Sequence, residues 1–285
     1  MSNTSNLGID LGGTNIRAGL VNAHSLQKIL SKRISSHGSE EAVLGELFSL
    51  ADELINDTVT SIGIGVPGII NIDEGIVYDV VNIPSWKEVA LKKRMEDRYK
   101  IPVFVNNDAN CFALGEYHFG KGKGYNSIIG LTIGTGLGSG IIIDKKLHAG
   151  KNGGAGEFGS IDYLDHNYEY YGSGQFFKNV YQTEGGTVFM RAKEGDQEAI
   201  KMYEEMGFHL GNFMKLLLFS LDIELITLGG SVREAWPWFS KAMWKQLQTF
   251  PFKNSLKHLK IELSELENAA ILGAASLYTD FGNKH

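Results

Sequence analysis

The 285-residue chain has one cysteine, Cys111, which excludes an internal disulfide and any zinc site built from several cysteines. Nothing therefore points to an oxidising compartment. No apolar run reaches membrane-spanning length, and the polar residues 1–6 lack the charged and apolar regions of a signal peptide, so a cytoplasmic location without a membrane partner is expected. Basic charge is not in excess either. The formal net charge is −6, and nucleic-acid or anionic-membrane surfaces are normally met by clustered Lys and Arg, so no nucleic-acid partner is expected. The chain has no long linker and no low-complexity segment, and its length suits two lobes.

Glycine is what the chain has in abundance, 35 residues without a collagen-like period, so these glycines serve turns. Residues 7–11 read as a strand, Gly12-Gly13-Thr14-Asn15 as a tight turn and residues 16–21 as a returning strand, with Asp10 pointing into the turn. Residues 40–56 carry apolar side chains at helical spacing, and residues 60–66 form a strand. Gly63-Ile64-Gly65-Val66-Pro67-Gly68 satisfies the letters of a dinucleotide fingerprint, but Pro67 and Gly68 open no helix and the Rossmann reading fails. Gly115 to Gly122 likewise misses a P-loop, since Gly122 stands where Ser or Thr would hold magnesium. Helices are expected over 86–99, 168–181, 197–221, 236–250 and 268–278, and strands at 127–131, 140–143, 224–228 and 259–263.

Two features stand out from this scaffold. The strand Val103-Phe104-Val105 runs into Asn106-Asn107-Asp108-Ala109-Asn110 and then a helix, which puts Asp108 at a strand end where α/β folds put chemistry. The same Asp108 would also serve as an N-cap. Secondly, a shift of 122 positions lays Gly12 on Gly134, Asp10 on Thr132 and Thr14 on Gly136, a repeat of strand, Gly-Thr turn, strand. Facing hairpins of this kind can hold phosphates, because glycine lets backbone N–H groups approach an anion.

Five stretches stand in order along the chain: Gly8-Ile9-Asp10-Leu11-Gly12-Gly13-Thr14-Asn15, Gly65-Val66-Pro67-Gly68, residues 106–110, Ile133-Gly134-Thr135-Gly136-Leu137-Gly138-Ser139-Gly140 and Gly154-Ala155-Gly156-Glu157-Phe158-Gly159. Together they resemble the ROK family of bacterial sugar kinases, in the actin-like ATPase superfamily. The resemblance implies an α/β, two-lobed actin-like ATPase (ribonuclease H-like) fold with a cleft between lobes, made of 1–108 plus 268–285 and of 109–267. It also implies Asp108 as the base for a sugar hydroxyl, with Asn82, Asn107, Asp108, Glu157 and Glu169 on the sugar. Asp10, Gly12, Gly13, Thr14, Thr135, Gly136, Gly138, Gly229 and Gly230 would bind ATP, and Asp10 would hold Mg2+ through water.

The family's repressors carry an N-terminal DNA-binding domain, and only six residues precede the first strand here. Most members also continue past the Glu157 motif into His and a Cys-rich zinc loop; here the His position is Ser160 and the cysteines are absent, so no zinc site is expected. The activity implied is ATP-dependent phosphorylation of a hexose 6-hydroxyl, glucose first, by an enzyme whose family habit suggests a homodimer. An N-acetylhexosamine kinase (N-acetylglucosamine or N-acetylmannosamine) and a non-catalytic sugar-sensing protein are the alternatives.

Overall fold

The computed structural model describes residues 4–22 and 25–282; residues 1–3 of the segment read above for a signal, and 283–285 of the expected first lobe, lie outside it. In chain order the elements begin with β1 (Ser5–Leu11), β2 (Asn15–Val21), β3 (Leu26–Arg33), α1 (Glu40–Asp52), β4 (Val59–Val66), β5 (Ile69–Asn71) and β6 (Ile76–Tyr78). Next come β7 (Glu88–Val89), α2 (Leu91–Tyr99), β8 (Val103–Asn107), α3 (Asp108–Phe119), β9 (Ile128–Ile133), β10 (Leu137–Ile143) and β11 (Lys146–Leu147). Two short strands, β12 (Asp162–Tyr163) and β13 (His166–Asn167), precede α4 (Tyr168–Gly172), α5 (Phe176–Tyr181), α6 (Gly185–Lys193) and α7 (Gln197–Leu221). The remainder is β14 (Leu225–Gly229), α8 (Trp236–Leu247), α9 (Lys253–His258), β15 (Lys260–Leu263) and α10 (Ala269–Phe281). No helix among the described residues is long and apolar enough to cross a membrane.

The chain divides into two compact units: Met1–Asn126, Gly140–Ala155 and Glu265–His285 form unit 1, and Ser127–Ser139 with Gly156–Ser264 form unit 2. These bounds differ from a division at 108 and 268. Residues 109–126 stay with unit 1 because α3 packs along α10, where a Cβ on Gly115 would lie 2.0 Å from the Ala269 carbonyl oxygen and one on Gly273 1.7 Å from that of Cys111. Only glycine allows backbones that close.

The first sheet has the order β3-β2-β1-β4-β8, an antiparallel meander followed by two strands parallel to β1. Strand alternation decides its two faces. Leu7, Ile9 and Leu11 of β1, Ile62, Ile64 and Val66 of β4, and Val103 and Val105 of β8 are buried in one core with Val43, Leu44 and Leu47 of α1. Gly8 and Gly63 face the other way and admit the backbone of α10, since their Cβ atoms would come within 2.1 Å of Ile271 O and 1.7 Å of Ala274 O. Asp10 and Asn106 have the parity of that second face. Ser39 caps α1 by accepting from Ala42 N, and Glu40 and Glu41 favour its positive end.

The second sheet has the order β11-β10-β9-β14-β15, the same plan again. Ile129, Leu131 and Ile133, which stand 122 positions after Leu7, Ile9 and Leu11, are buried with Met206, Leu210 and Phe213 of α7 and Phe239 and Met243 of α8. The repeat seen as two hairpins thus extends to whole sheets. Two expected helices differ. Glu88 and Val89 form β7, the edge strand of a small sheet ordered β5-β6-β7, and Trp86 just before it is fully buried, so α2 begins only at Leu91. The helix expected over 168–181 breaks into α4 and α5 because Ser173 is extended and Gly174 N–H donates to Gly134 O at 2.7 Å.

Candidate functional site

In unit 1 the parallel registers carry a line of residues across three strands, Asp10 beside Gly65 and Gly65 beside Asn106. Two strand spacings, about 10 Å, separate the outer pair. Asn107 caps α3: its Oδ1 accepts from Ala109 N at 2.8 Å, while its Nδ2 donates to Gly68 O at 3.2 Å. Asp108 is therefore the first helical residue; Asn107 stands at the cap position, and Asp108 Oδ1 shares the same Ala109 N–H at 2.9 Å. A carboxylate there is favoured by the helix dipole. Beneath it, Asn110 Nδ2 donates to the Asn106 Oδ1 at 2.9 Å, and that same oxygen receives Asn107 N–H at 2.8 Å, so two buried amides brace the strand-to-helix junction.

Asp10 and Asp108 meet electrostatically at one buried group. The Cys111 thiol is pushed well above its usual range by burial first, and then by the charges of Asp108 and Asp10. Gly65 leaves room for it, since a Cβ would lie 3.1 Å from Cys111 Sγ. Asp10 Oδ2 accepts from Arg17 at 2.5 Å, its direct cross-strand partner. The hairpin turn is closed by Gly12 N–H to Asn15 O and by Ile34 N–H to Thr14 O, both at 3.0 Å. Gly13 brings in Asn82: a Cβ at position 13 would stand 2.4 Å from the Asn82 Cβ. Asp10, Gly12, Gly13, Thr14, Asn82, Asn107 and Asp108 thus all belong to unit 1.

Thr135, Gly136, Gly138, Glu157, Glu169, Gly229 and Gly230 belong to unit 2. Glu157 follows Gly156, whose φ of +99° and whose carbonyl, bonded by Ser139 Oγ at 2.5 Å, anchor the loop to β10. Although Glu157 is exposed, atoms crowding its carboxyl raise it above the usual carboxylate range, and the charge of Glu169 adds to this. Glu169 Oε2 accepts from Leu137 N at 2.9 Å, and a Cβ on Gly136 would lie 2.7 Å from that oxygen. Thr132 Oγ1 donates to Gly138 O at 3.3 Å. Gly229 ends β14 opposite Thr132, and Gly230, at φ +81°, clears Ile133 O, which a Cβ would approach to 2.2 Å.

The Gly134-Thr135 turn also borders a cavity of about 530 Å³ inside unit 2, whose other walls include Gln175, Lys178, Phe189, Tyr203 and Val232. These residues were not legible in advance. They come from four separated segments, and only the fold assembles them. Arg17 was missed as well, though the hairpin carried a signal for it, since partners summing to 27 set Arg17 opposite Asp10.

The "ROK family" model matches residues 6–280. A glucokinase of Streptomyces coelicolor is 41% identical over 157 residues, covering 54% of this chain and 49% of that protein, so the chain spans about half the length of that relative. An N-acetyl-D-glucosamine kinase of Pectobacterium atrosepticum is 31% identical over 79% of this chain and 83% of its own. The crystal structure of a ROK family glucokinase from Streptomyces griseus, in complex with glucose and AMPPNP, superposes with a TM-score of 0.80 at 28% identity, over 96% of this chain and 98% of that one. The fold is the two-lobed actin-like ATPase fold, with two sheets of one plan. Since the family model runs over nearly the whole sequence, the chain belongs to the ROK family.

Proposed function

We propose that the chain transfers the γ-phosphoryl group of ATP to the 6-hydroxyl of a hexose, glucose first. The observation that carries this is Asp108 itself, the first residue of α3 directly after the Asn107 cap, held by one oxygen on the shared Ala109 N–H. A carboxylate so held can accept the hydroxyl proton as the phosphoryl group arrives, and little covalent help is needed beyond that. Asn82, Asn107, Glu157 and Glu169 would hydrogen-bond sugar hydroxyls, and Gly12, Gly13, Thr14, Thr135, Gly136 and Gly138 would present backbone donors to phosphates. Gly229 and Gly230 would border the adenosine, with the cavity of unit 2 receiving its base.

Magnesium keeps several waters and needs only one or two carboxylates, so Asp10, with one oxygen on Arg17, suits a hydrated ion brought by ATP. When bound, that ion would neutralise charge on the phosphates. Zinc has no part in this reading, and stoichiometric zinc by elemental analysis would overturn that. A homodimer in the cytoplasm is the proposed setting, with a monomer by sedimentation velocity as the contrary result for the assembly.

The N-acetyl-D-glucosamine kinase relative favours a second acceptor. Ser160 is short and exposed where most family members carry His, and would leave room for a 2-acetamido group. Following ADP release with magnesium, ATP and a panel of hexoses decides the matter. Turnover of glucose and N-acetylglucosamine, with epimers at C3 or C4 rejected, is expected. Sugar binding without ADP release would instead mark a sensing protein, and no sugar dependence would remove the kinase reading.

A further inference from the structure

The turn at Gly134 to Gly138 is gripped from one side by a single short segment, Glu169 to Gln175. Gly174 N–H donates to Gly134 O at 2.7 Å, and Gln175 Nε2 donates to Thr135 O at 2.9 Å. Glu169 Oε2 takes the N–H of Leu137 at 2.9 Å. Steric limits match these bonds: a Cβ on Gly174 would stand 2.7 Å from Gly134 O, and one on Gly136 2.7 Å from Glu169 Oε2. Gln175 N–H is in turn held by the buried Ser173 Oγ at 3.2 Å.

Peptide planarity turns this grip into an orientation. In a trans peptide the carbonyl and the following N–H point in opposite directions. With the carbonyls of Gly134 and Thr135 drawn towards residues 174 and 175, the N–H groups of Thr135 and Gly136 are turned to the opposite side, together. Two successive donors so aligned form an anion-binding concavity. The Leu137 N–H, which would otherwise add a third direction, is held by Glu169.

We propose that Glu169 and Gln175 are positioning residues for this turn, aiming the Thr135 and Gly136 N–H groups at the phosphates of a nucleotide; this rests on the kinase reading above. Glu169 then serves the nucleotide as well as the sugar assigned to it, and occupancy of one substrate is felt by the other. Binding of Mg·ADP measured without sugar, by calorimetry, tests the point. Glu169→Ala should weaken Mg·ADP roughly tenfold, as expected for stranding one backbone donor, whereas Glu169→Gln, which keeps an acceptor oxygen, should stay within about threefold. Gln175→Ala should weaken it by about fivefold. Hydrogen exchange of the Leu137 amide should speed up in Glu169→Ala alone of the two Glu169 variants, with the melting transition retained in both.

If Glu169→Ala binds Mg·ADP as wild type does, or Leu137 exchange is unchanged, the positioning role is refuted while the kinase reading stands. If wild-type protein fails to bind Mg·ADP, the kinase reading falls and takes this inference with it. A Glu169→Gln variant as weak as Glu169→Ala would show that charge, and not the hydrogen bond to Leu137, is what matters, which also overturns it.

Discussion

The two five-stranded sheets follow one plan and bury equivalent positions, yet they differ at the end of β1 and its counterpart β9. Asp10 of the first sheet pairs with Arg17, whereas Thr132 of the second makes a neutral bond to Gly138 O at 3.3 Å. At the far strand, β8 leads into Asn107 and Asp108; continuing the register of β15, Leu263 answers Val105 and Leu266 answers Asp108. The scaffold is duplicated, and the carboxylates are not. The lesson is that alternation of apolar residues maintains a sheet at low cost to sequence, leaving the strand ends to diverge. Close helix packing recurs in both halves by the same device: Gly115 and Gly273 between α3 and α10, and Gly207 and Gly211 between α7 and α8.

The sharpest break of this asymmetry is Asp108→Asn. Its kcat should fall by roughly two to three orders of magnitude with little change in sugar affinity, since a positioned base contributes about that much. Near-normal turnover in folded protein would remove Asp108 from the mechanism. Gly63→Ala comes next, and should cost about 3 kcal/mol of stability, because the new methyl meets the Ala274 carbonyl and neither backbone can give. Urea unfolding measures it, and an unchanged midpoint would deny the close packing of α10.

Asp10→Asn against Thr132→Ala compares the two hairpins directly. Loss of the charged partner should lower kcat/KM roughly tenfold or more, and loss of the neutral one by less than about threefold. Equal effects would erase the distinction drawn between the sheets. Smaller again is Gly45→Ala, on the exposed face of α1 with open space around it, which should raise stability by about 0.5–1 kcal/mol in the same unfolding assay.

The smallest effect concerns pH in unit 2. Burial lowers the pKa of His209 below its ordinary 6.5, opposed by Glu205, and Tyr163 OH contacts its Nδ1 at 3.2 Å. The unfolded chain then binds the extra proton more readily just below pH 6.5, so stability rises with pH across that window and is lost on acidification. The urea midpoint should be lower at about pH 5.5 than at about pH 7.5, and His209→Gln should flatten the difference. Tryptophan fluorescence reads mainly unit 2, which holds Trp236, Trp238 and Trp244. A slope untouched by the substitution would assign the pH dependence elsewhere.

Much of this molecule was determined locally. The hairpin of β1 and β2, the long α7 with its apolar stripe, and the glycine turns follow from side-chain period and turn chemistry, which act over a few residues and leave their mark in order along the chain. Asp108 at a strand end was legible for the same reason, and so were the residues of the five family stretches. Only the tertiary structure decided which residue caps α3, because Asn107 and Asp108 are both good caps and Asn107 has a further anchor in Gly68, 39 positions away. Tertiary contact also broke the expected 168–181 helix, as Gly174 found a better hydrogen-bond partner in Gly134 than in its own turn. It delayed α2 by burying Trp86 and pairing Glu88 and Val89 as an edge strand. The unit boundaries and the cavity walls belong to the same class. Each depends on groups far apart in sequence whose meeting no local period records, and burial of their polar atoms makes the meeting binding.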